Sequence, residues 1–182
     1  MIFHGIKITV SILNSQTDIV YSQIMVRVIN ADPKIGTSMT EIEARDYLKK
    51  HTILHIGIVD RKGEPNVAPV GYYFDSNSSK IYVTTHKNSK KVRNLSNKKN
   101  VSFCVDNPNP PYNGVRGKGE VKVLEEINYN RLIAEKLLMR SLGSLEHPTS
   151  KWLLDEIEKG DEVVLEISPL YYSTWDYGKT IQ

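Results

Sequence analysis

The chain of 182 residues has one cysteine and no long hydrophobic run. Because Cys104 is alone, no internal disulfide can form, which is typical of proteins from a reducing cytoplasm. We expect it to be a small buried apolar residue, since it stands in the run Val-Ser-Phe-Cys-Val. The longest apolar stretches are strand-sized and broken by charges, and the first residues lack a secretory signal pattern. These absences predict a cytoplasmic protein without a membrane span.

Several motifs of catalytic and metal sites are also missing. No Gly-Lys-Ser/Thr triplet occurs, and Gly117-Lys-Gly119 has no third glycine where a dinucleotide-binding loop needs one. His51, His55 and His86 do not form a zinc-ligand pattern, and no serine lies in a nucleophile elbow. We expect His55, which lies within an apolar run, to be a core histidine. The sequence therefore predicts neither hydrolysis nor a metal site.

The sequence predicts helices at three places besides a short one near residue 90. A capping-box pattern at residues 38–41 opens the first, with Ile42, Tyr47 and Leu48 facing inward. The second covers residues 127–142, and its inward positions are Leu132, Ile133, Leu137 and Leu138. The third follows Pro148, which suits a first helical turn, and its inward positions are Trp152, Leu153 and Ile157.

Short runs of β-branched and aromatic residues between turn signals predict strands. Gly117 and Gly119 in one of them suggest a bulge or the close approach of another backbone. Hairpin-linked strands with helices at the periphery predict a mainly β (α+β) fold, an antiparallel barrel rather than a doubly wound sheet. The predicted strands are residues 52–60, 66–74, 80–85, 101–106, 115–125, 162–167 and 170–175.

The most informative segment runs from residue 80 to residue 95. A strand, Lys-Ile-Tyr-Val-Thr-Thr, leads into a short helix that Asn88 or Ser89 can cap. The free N–H groups of a helix start suit a phosphate. Lys90 and Lys91 oppose the helix dipole there unless an anion lies beside them. No acidic residue occurs between residues 75 and 106. The segment therefore predicts a phosphate site.

Two other interpretations of the lysine pair remain open. Lysine runs are most often solvated surface, which would give the pair no ligand. Basic residues with Tyr82 and His86 nearby also suit a nucleic-acid backbone. The net charge of +3 and the shortness of the run make a nucleic-acid partner the weaker of the three.

Several segments of the chain resemble those of a known protein family. The segment Thr-Thr-His-Lys-Asn-Ser-Lys-Lys at residues 84–91 is similar to the Tyr-Thr-Asn-x-x-Ser-Arg-Lys segment of pyridoxamine 5′-phosphate oxidases and their FMN-binding split-barrel relatives. Residues 56–70 resemble the first hairpin of that family, and residues 94–103 also fit. Pro169 precedes Trp175 by the spacing found in the oxidase, whose Trp borders the flavin. The resemblance covers about residues 40–178.

Two departures separate the chain from the oxidase itself. The oxidase continues past its Trp-x-Gly-Gly into an Arg-Leu-His segment that holds pyridoxal phosphate, whereas only four residues follow Gly178 here. Pro69 and Phe74 stand where the oxidase has an Arg and a Lys facing the FMN phosphate. The resemblance therefore implies a flavin-type site but not pyridoxamine phosphate oxidation.

The resemblance implies a split β-barrel homodimer that holds FMN between its subunits and acts as an oxidoreductase on an unidentified small molecule. Alternatives within the fold are a deazaflavin-dependent reductase and a haem-binding protein. If the protein is not an enzyme, the alternatives are a non-catalytic ligand-binding module and a nucleic-acid binder. The implied cofactor-binding residues are Ser89, Lys90 and Lys91 for the phosphate, Thr84 and Thr85 for the ribityl arm, Val67, Pro69 and Val70 under the ring, and Trp175 closing the site, from the partner chain.

The resemblance also divides the chain. Residues 38–182 would form the FMN-binding domain, and residues 1–37 lie outside it as a poorly packed or partner-dependent extension. Met25 and Met39 are alternative translation starts. Alternating residues within the extension, at 6–10 and 19–28, are typical of strands.

Overall fold

The structure, a computed structural model, describes residues 25–32, 37–96 and 98–179. Its helices are α1 (Glu41–Lys50), α2 (Lys90–Leu95), α3 (Ile127–Leu142) and α4 (Pro148–Glu158), and a 3₁₀ turn covers Tyr177–Lys179. Its strands are β1 (Val28–Asn30), β2 (Ile53–Val59), β3 (Pro65–Gly71), β4 (Tyr73–Asp75), β5 (Lys80–His86), β6 (Asn100–Asp106), β7 (Asn113–Leu124) and β8 (Glu162–Asp176).

The strands form a single curled sheet in the order β3-β2-β6-β7-β8-β5-β4. Neighbours along that path are antiparallel, and β1 adds to β8 as a parallel strand. The sheet curls into a half-barrel, with the helices around it. Alternate residues of the strands, such as Leu54, Ile56 and Phe103, fill the main core. The predicted antiparallel split barrel with peripheral helices is confirmed.

The strand predictions were mostly right, but two predicted strands form a single strand and one predicted strand is divided in two. Residues 162–167 and 170–175 form one strand, β8, because Pro169 lies beside a register shift between Lys118 and Gly119, where its missing N–H is tolerated. The bulge predicted at the β7 glycines is thereby confirmed. Residues 66–74 are split into β3 and β4 at Tyr72, whose buried hydroxyl donates a hydrogen bond of 2.7 Å to the Leu48 carbonyl.

Most of the inward helix residues were predicted correctly, but three positions were wrong. The correct ones, all buried, are Leu48, Ile133, Leu137, Leu138, Leu153 and Ile157. The capping box of α1 is formed by Thr40 and Glu43, two residues later than expected, and Ile42 is 74% exposed. In α3 and α4 the predictions for Leu132 and Trp152 were wrong, since both are exposed. Each is followed directly by a buried residue, and neighbouring helical positions point about 100° apart. The apolar stripes are therefore narrower than the sequence suggests.

Part of the N-terminal extension packs against the sheet. Val26 belongs to the main core, and β1 pairs with residues 172–174 of β8. The strand predicted at residues 6–10 lies outside the described residues. Among the residues that the structure describes, no helix is long and apolar enough to cross a membrane, and no group of side chains has the make-up of a metal site.

Candidate functional site

The segment between β5 and α2 has the cap predicted from its sequence. Ser89 takes an extended conformation before α2, and its Oγ accepts a hydrogen bond of 3.3 Å from the Val92 N–H. The Thr85 hydroxyl, on β5, donates to the same Oγ at 3.2 Å. Leu95 is buried and Val92 packs against the core, which fixes the helix to the sheet. The two hydroxyls and the start of α2 are thus held together.

A small cavity of about 220 Å³ lies between α2 and the strands β2 and β3. Lys90 and Lys91 line it from the helix, and Asn66 and Asn94 add side-chain amides. The Lys90 Nζ donates a hydrogen bond of 2.6 Å to the Asn66 Oδ1. The Asn94 Nδ2 is buried and has no hydrogen-bond partner in the described part of the chain. A buried amide without a partner is unusual and costs about 1–3 kcal/mol, so a ligand that accepts from it would relieve a deficit.

Two carboxyl groups are near enough to interact with the lysines: Asp60, whose pKa the charge of Lys90 helps to lower, and Glu162, which interacts with Lys91. Glu162 on β8 is 8% exposed and lies opposite His86 of β5. Burial, with a further contribution from the negative charge of Glu156, raises the pKa of Glu162 to about 7, although Lys91 acts to lower it. Below neutral pH this carboxyl is therefore largely protonated and leaves the Lys91 charge available.

The sheet has a second side that the core does not cover, which we call the outer face. Its residues are Ile53, His55, Gly57 and Val59 of β2, Val67 and Pro69 of β3, Ser102, Cys104 and Asp106 of β6, Gly114, Arg116 and Lys118 of β7, and Tyr171, Ser173 and Trp175 of β8. The alternation of β-strands places His55 and Cys104 there, between buried neighbours. The predictions of a core histidine and a buried cysteine were therefore wrong: His55 is exposed and Cys104 is partly exposed.

A larger cavity, of about 480 Å³, lies on the outer face. It is lined by Ile29, His55, Gly57, Val67, Ser102, Phe103, Cys104, Arg116, Gly117, Lys118, Tyr171 and Ser173. Val67, on the edge strand β3, lines both cavities, which lie on opposite sides of β2 and β3. Burial raises the pKa of the Cys104 thiol to about 11, and the charge of Asp106 adds to this, so the thiol is neutral.

Trp175 stands at another part of the outer face, on β8 and four strands away from β3. Its ring lies over Gly114, where an added Cβ would be only 2.3 Å from a ring atom. The turn after it is held by Lys179, whose Nζ is 2.7 Å from the Glu43 Oε2. Trp175 lines neither cavity within one chain.

The structure brings together some of the predicted cofactor residues and separates others. Val67, Lys90 and Lys91 line the small cavity, and Ser89 and Thr85 lie beside its helix. Pro69 pairs with His55 on the outer face. Val70 packs against the core instead, on the opposite side of β3 from Val67. Thr84 lies on the side of β5 where α3 packs, opposite to Thr85.

Among the lining residues that sequence reasoning missed are two amides, Asn66 and Asn94, and two cations, Arg116 and Lys118. A signal existed for Asn94, because it follows Lys90 and Lys91 by four and three positions and so shares their side of the helix. The pair Arg116 and Lys118 has the two-residue spacing of one strand face. Asn66 carried no signal, since only the folded hairpin brings it to the helix.

Comparison with known proteins gives a family and a set of folds. The family model described as pyridoxamine 5′-phosphate oxidase matches residues 40–176. No curated protein matches the chain. Among solved structures, a conserved hypothetical protein from Mycobacterium tuberculosis is similar with a TM-score of 0.69 and 20% identity, covering 80% of this chain and 89% of that one.

Two further structures with the same fold have names that state a ligand. An F420 reductase is similar with a TM-score of 0.57 and 22% identity, covering 71% of this chain and 94% of that one. An FAD-binding protein from Mesorhizobium loti is similar with a TM-score of 0.58 and 17% identity, over 76% and 95% of the two chains. At these identities the likeness concerns the fold alone.

Proposed function

Because this chain belongs to the pyridoxamine 5′-phosphate oxidase family, we propose that it binds FMN and uses it in the oxidation or reduction of a small molecule. The observation that carries the proposal is the small cavity, where two lysines and an unpartnered buried amide, that of Asn94, surround a space at the edge strand β3. A ligand with an anionic end at the lysines and an apolar body that passes around this edge to the outer face suits the charge of the site.

The phosphate belongs at the lysine end. Lys90 and Lys91 supply charge, and the Asn94 amide supplies a donor that has no other partner in the described residues. A phosphate oxygen carries a negative charge that the Asn66 amide oxygen lacks, so a phosphate replaces the Lys90–Asn66 contact at a gain. Ser89 and Thr85 hold the helix that carries both lysines.

The ring belongs on the outer face, next to Val67 and Pro69. Their side chains are exposed there, and Gly57, opposite Val67, has no side chain to fill the space. Bound flavin supplies the hydride chemistry, so the protein needs no acid–base group of its own for that step. The task of these residues is to hold the ring and to exclude water from one side of it.

We further propose that a second copy of the chain covers the outer face. Ile53, Val59 and Val67 are exposed there, with Val67 at 69%, and apolar patches of this kind are typical of interfaces. Trp175 of the second copy would then reach the ring that it cannot reach within one chain. A Val67→Glu substitution should shift the protein to monomers in sedimentation, whereas Ile42→Glu, on the exposed side of α1, should not.

A second candidate is a deazaflavin coenzyme such as F420, used as a dissociable hydride donor. One observation favours it: Pro69 and Phe74 replace two cations of the oxidase, and Phe74 is buried in the core, so the phosphate end has fewer charges than the oxidase. A less firmly held, exchangeable cofactor fits such a site. The likeness to the F420 reductase is consistent with this candidate.

The absorption spectrum of the purified protein, followed by titration of cofactor-free protein with FMN and with F420, separates the candidates. A yellow protein, or tight one-to-one binding of FMN, supports the proposal. Colourless protein that binds F420 better than FMN supports the second candidate. Binding of neither would leave the proposed function without support and favour a role without redox chemistry.

A further inference from the structure

The larger cavity has a cationic wall that the proposed cofactor site does not use. Arg116 and Lys118 are successive outward residues of β7, and both side chains are exposed. Neither side chain makes an ion pair or a hydrogen bond with any residue in the described part of the chain. No carboxylate lines this cavity among the described residues. Two positive charges therefore face one concave space without a counter-charge.

One acid on the same face, Asp106, already contacts a histidine. Asp106 stands two residues beyond Cys104 on β6 and lies 3.5 Å from the His55 Nδ1. Cys104 itself lies directly between His55 and Arg116 in the sheet register, and its thiol is neutral. Asp106 forms no ion pair with Arg116 in the described part of the chain, and Glu120, the acid of β7 on this face, lines neither cavity.

The other residues that line the cavity indicate what kind of ligand would fit beside the two cations. Ile29, Val67 and Phe103 are apolar, while Ser102 and Ser173 add hydroxyl groups. A volume of about 480 Å³ is in the range of small-molecule sites. Arginine in particular matches the two oxygens of a carboxylate with its planar fork.

We propose that Arg116 and Lys118 form an anion subsite that selects small organic acids, carboxylates with an apolar body, as the substrates of this protein. The proposal rests on the proposed function in one respect: the acid becomes a substrate because the cofactor ring lies at Val67, which borders the same cavity. Arg116 and Lys118 set specificity by binding the acid group, and they take no part in hydride transfer.

The test uses a series of small aromatic carboxylic acids, beginning with benzoic acid, each compared with its primary amide. Ligand-observed NMR and calorimetry measure binding to the purified protein at low and physiological salt. Four further proteins are compared: Arg116→Gln with Lys118→Gln, Lys90→Gln with Lys91→Gln, Lys122→Gln and Val67→Ala. Lys122 is a matched control, because it is an exposed lysine of β7 that lines neither cavity.

We expect the acids to bind at least about fivefold more tightly than their amides, as charge-assisted contacts imply. The Arg116/Lys118 variant should lose this preference, while the Lys122 and Lys90/Lys91 variants keep it. The Val67→Ala variant should weaken acids and amides together, since it removes apolar contact and changes no charge.

Three results would overturn the inference. The wild type shows no preference for acids, or the preference disappears in the Lys90/Lys91 variant instead, or the Arg116/Lys118 variant dissociates into monomers with the preference unchanged. The last result would make the two cations interface residues. A protein that binds acids through Arg116 and Lys118 but binds neither FMN nor F420 would refute the proposed function and leave the subsite standing.

Discussion

Replacing Lys90 and Lys91 with alanine should weaken the binding of FMN far more than that of riboflavin. The two ligands share the ring and the ribityl chain and differ in the phosphate, which is the group assigned to these lysines. A contact between charged groups contributes about 1.5–3 kcal/mol in a protected site. Lys90 is exposed and Lys91 partly exposed, so we take about 1–1.5 kcal/mol for each. The double substitution should then weaken FMN binding by roughly 30- to 150-fold.

Flavin fluorescence titrations of both ligands against both proteins measure this difference. The adjacent pair Lys49 and Lys50 on α1 provides a matched control, since it lies outside the two cavities. Its substitution by alanine should leave both affinities within about twofold. Equal losses for FMN and riboflavin in the Lys90/Lys91 variant would mean general damage. Unchanged FMN affinity would refute the phosphate site and favour a solvated lysine surface.

Three other substitutions test parts of the account. Asn94→Leu should leave unfolding free energy unchanged or raised, because a buried amide without a partner is removed, and should weaken FMN binding about fivefold or more. Glu162→Gln should remove a pH dependence of stability. The folded pKa of about 7 lies above the usual 4.5, so the stability that Glu162 contributes is fully present below pH 4.5 and is lost as the pH rises to 7. At pH 8 the glutamine variant should be more stable by about 1–3 kcal/mol, measured by denaturant unfolding. Gly114→Ala should displace the Trp175 ring and cost about 1–3 kcal/mol, with a shift in tryptophan emission.

The same experiments have clear opposing outcomes. A more weakly folded Asn94→Leu protein would mean that the amide has a structural partner. A flat wild-type stability between pH 5 and pH 8 would contradict the raised pKa of Glu162. Gly71→Ala is the matched control for Gly114→Ala, because the added Cβ at Gly71 meets its nearest atom at an ordinary 3.8 Å. Equal costs at both glycines would contradict the close contact with Trp175.

Local signals in the sequence predicted the elements around α2 correctly. The cap at Ser89 depends on residues only three positions away, so the sequence alone specifies it. The bulge in β7 was likewise predicted from Gly117 and Gly119. Glycine is needed at position 117 because an added Cβ would lie 2.3 Å from the Tyr171 carbonyl oxygen. Features of this kind can be read from one segment of chain.

Features that depend on which side of an element is covered were predicted less well. His55 stands in an apolar run and yet faces outward, because every second residue of a strand does so. Ile42, Leu132 and Trp152 are apolar but lie just off the narrow buried stripe of their helices. Asn66 joins the candidate site only through the pairing of β3 with β2. Which side of an element is buried, and which strand pairs with which, depend on the tertiary structure. A single sequence specifies both only weakly.

A crystal structure of the protein grown with FMN tests the central claim most directly. The account predicts the phosphate within hydrogen-bond distance of the Lys90 and Lys91 Nζ atoms and the Asn94 side-chain amide, and the ring against Val67 and Pro69 on the outer face. A phosphate held elsewhere, or a ring that lies away from the outer face, would contradict it.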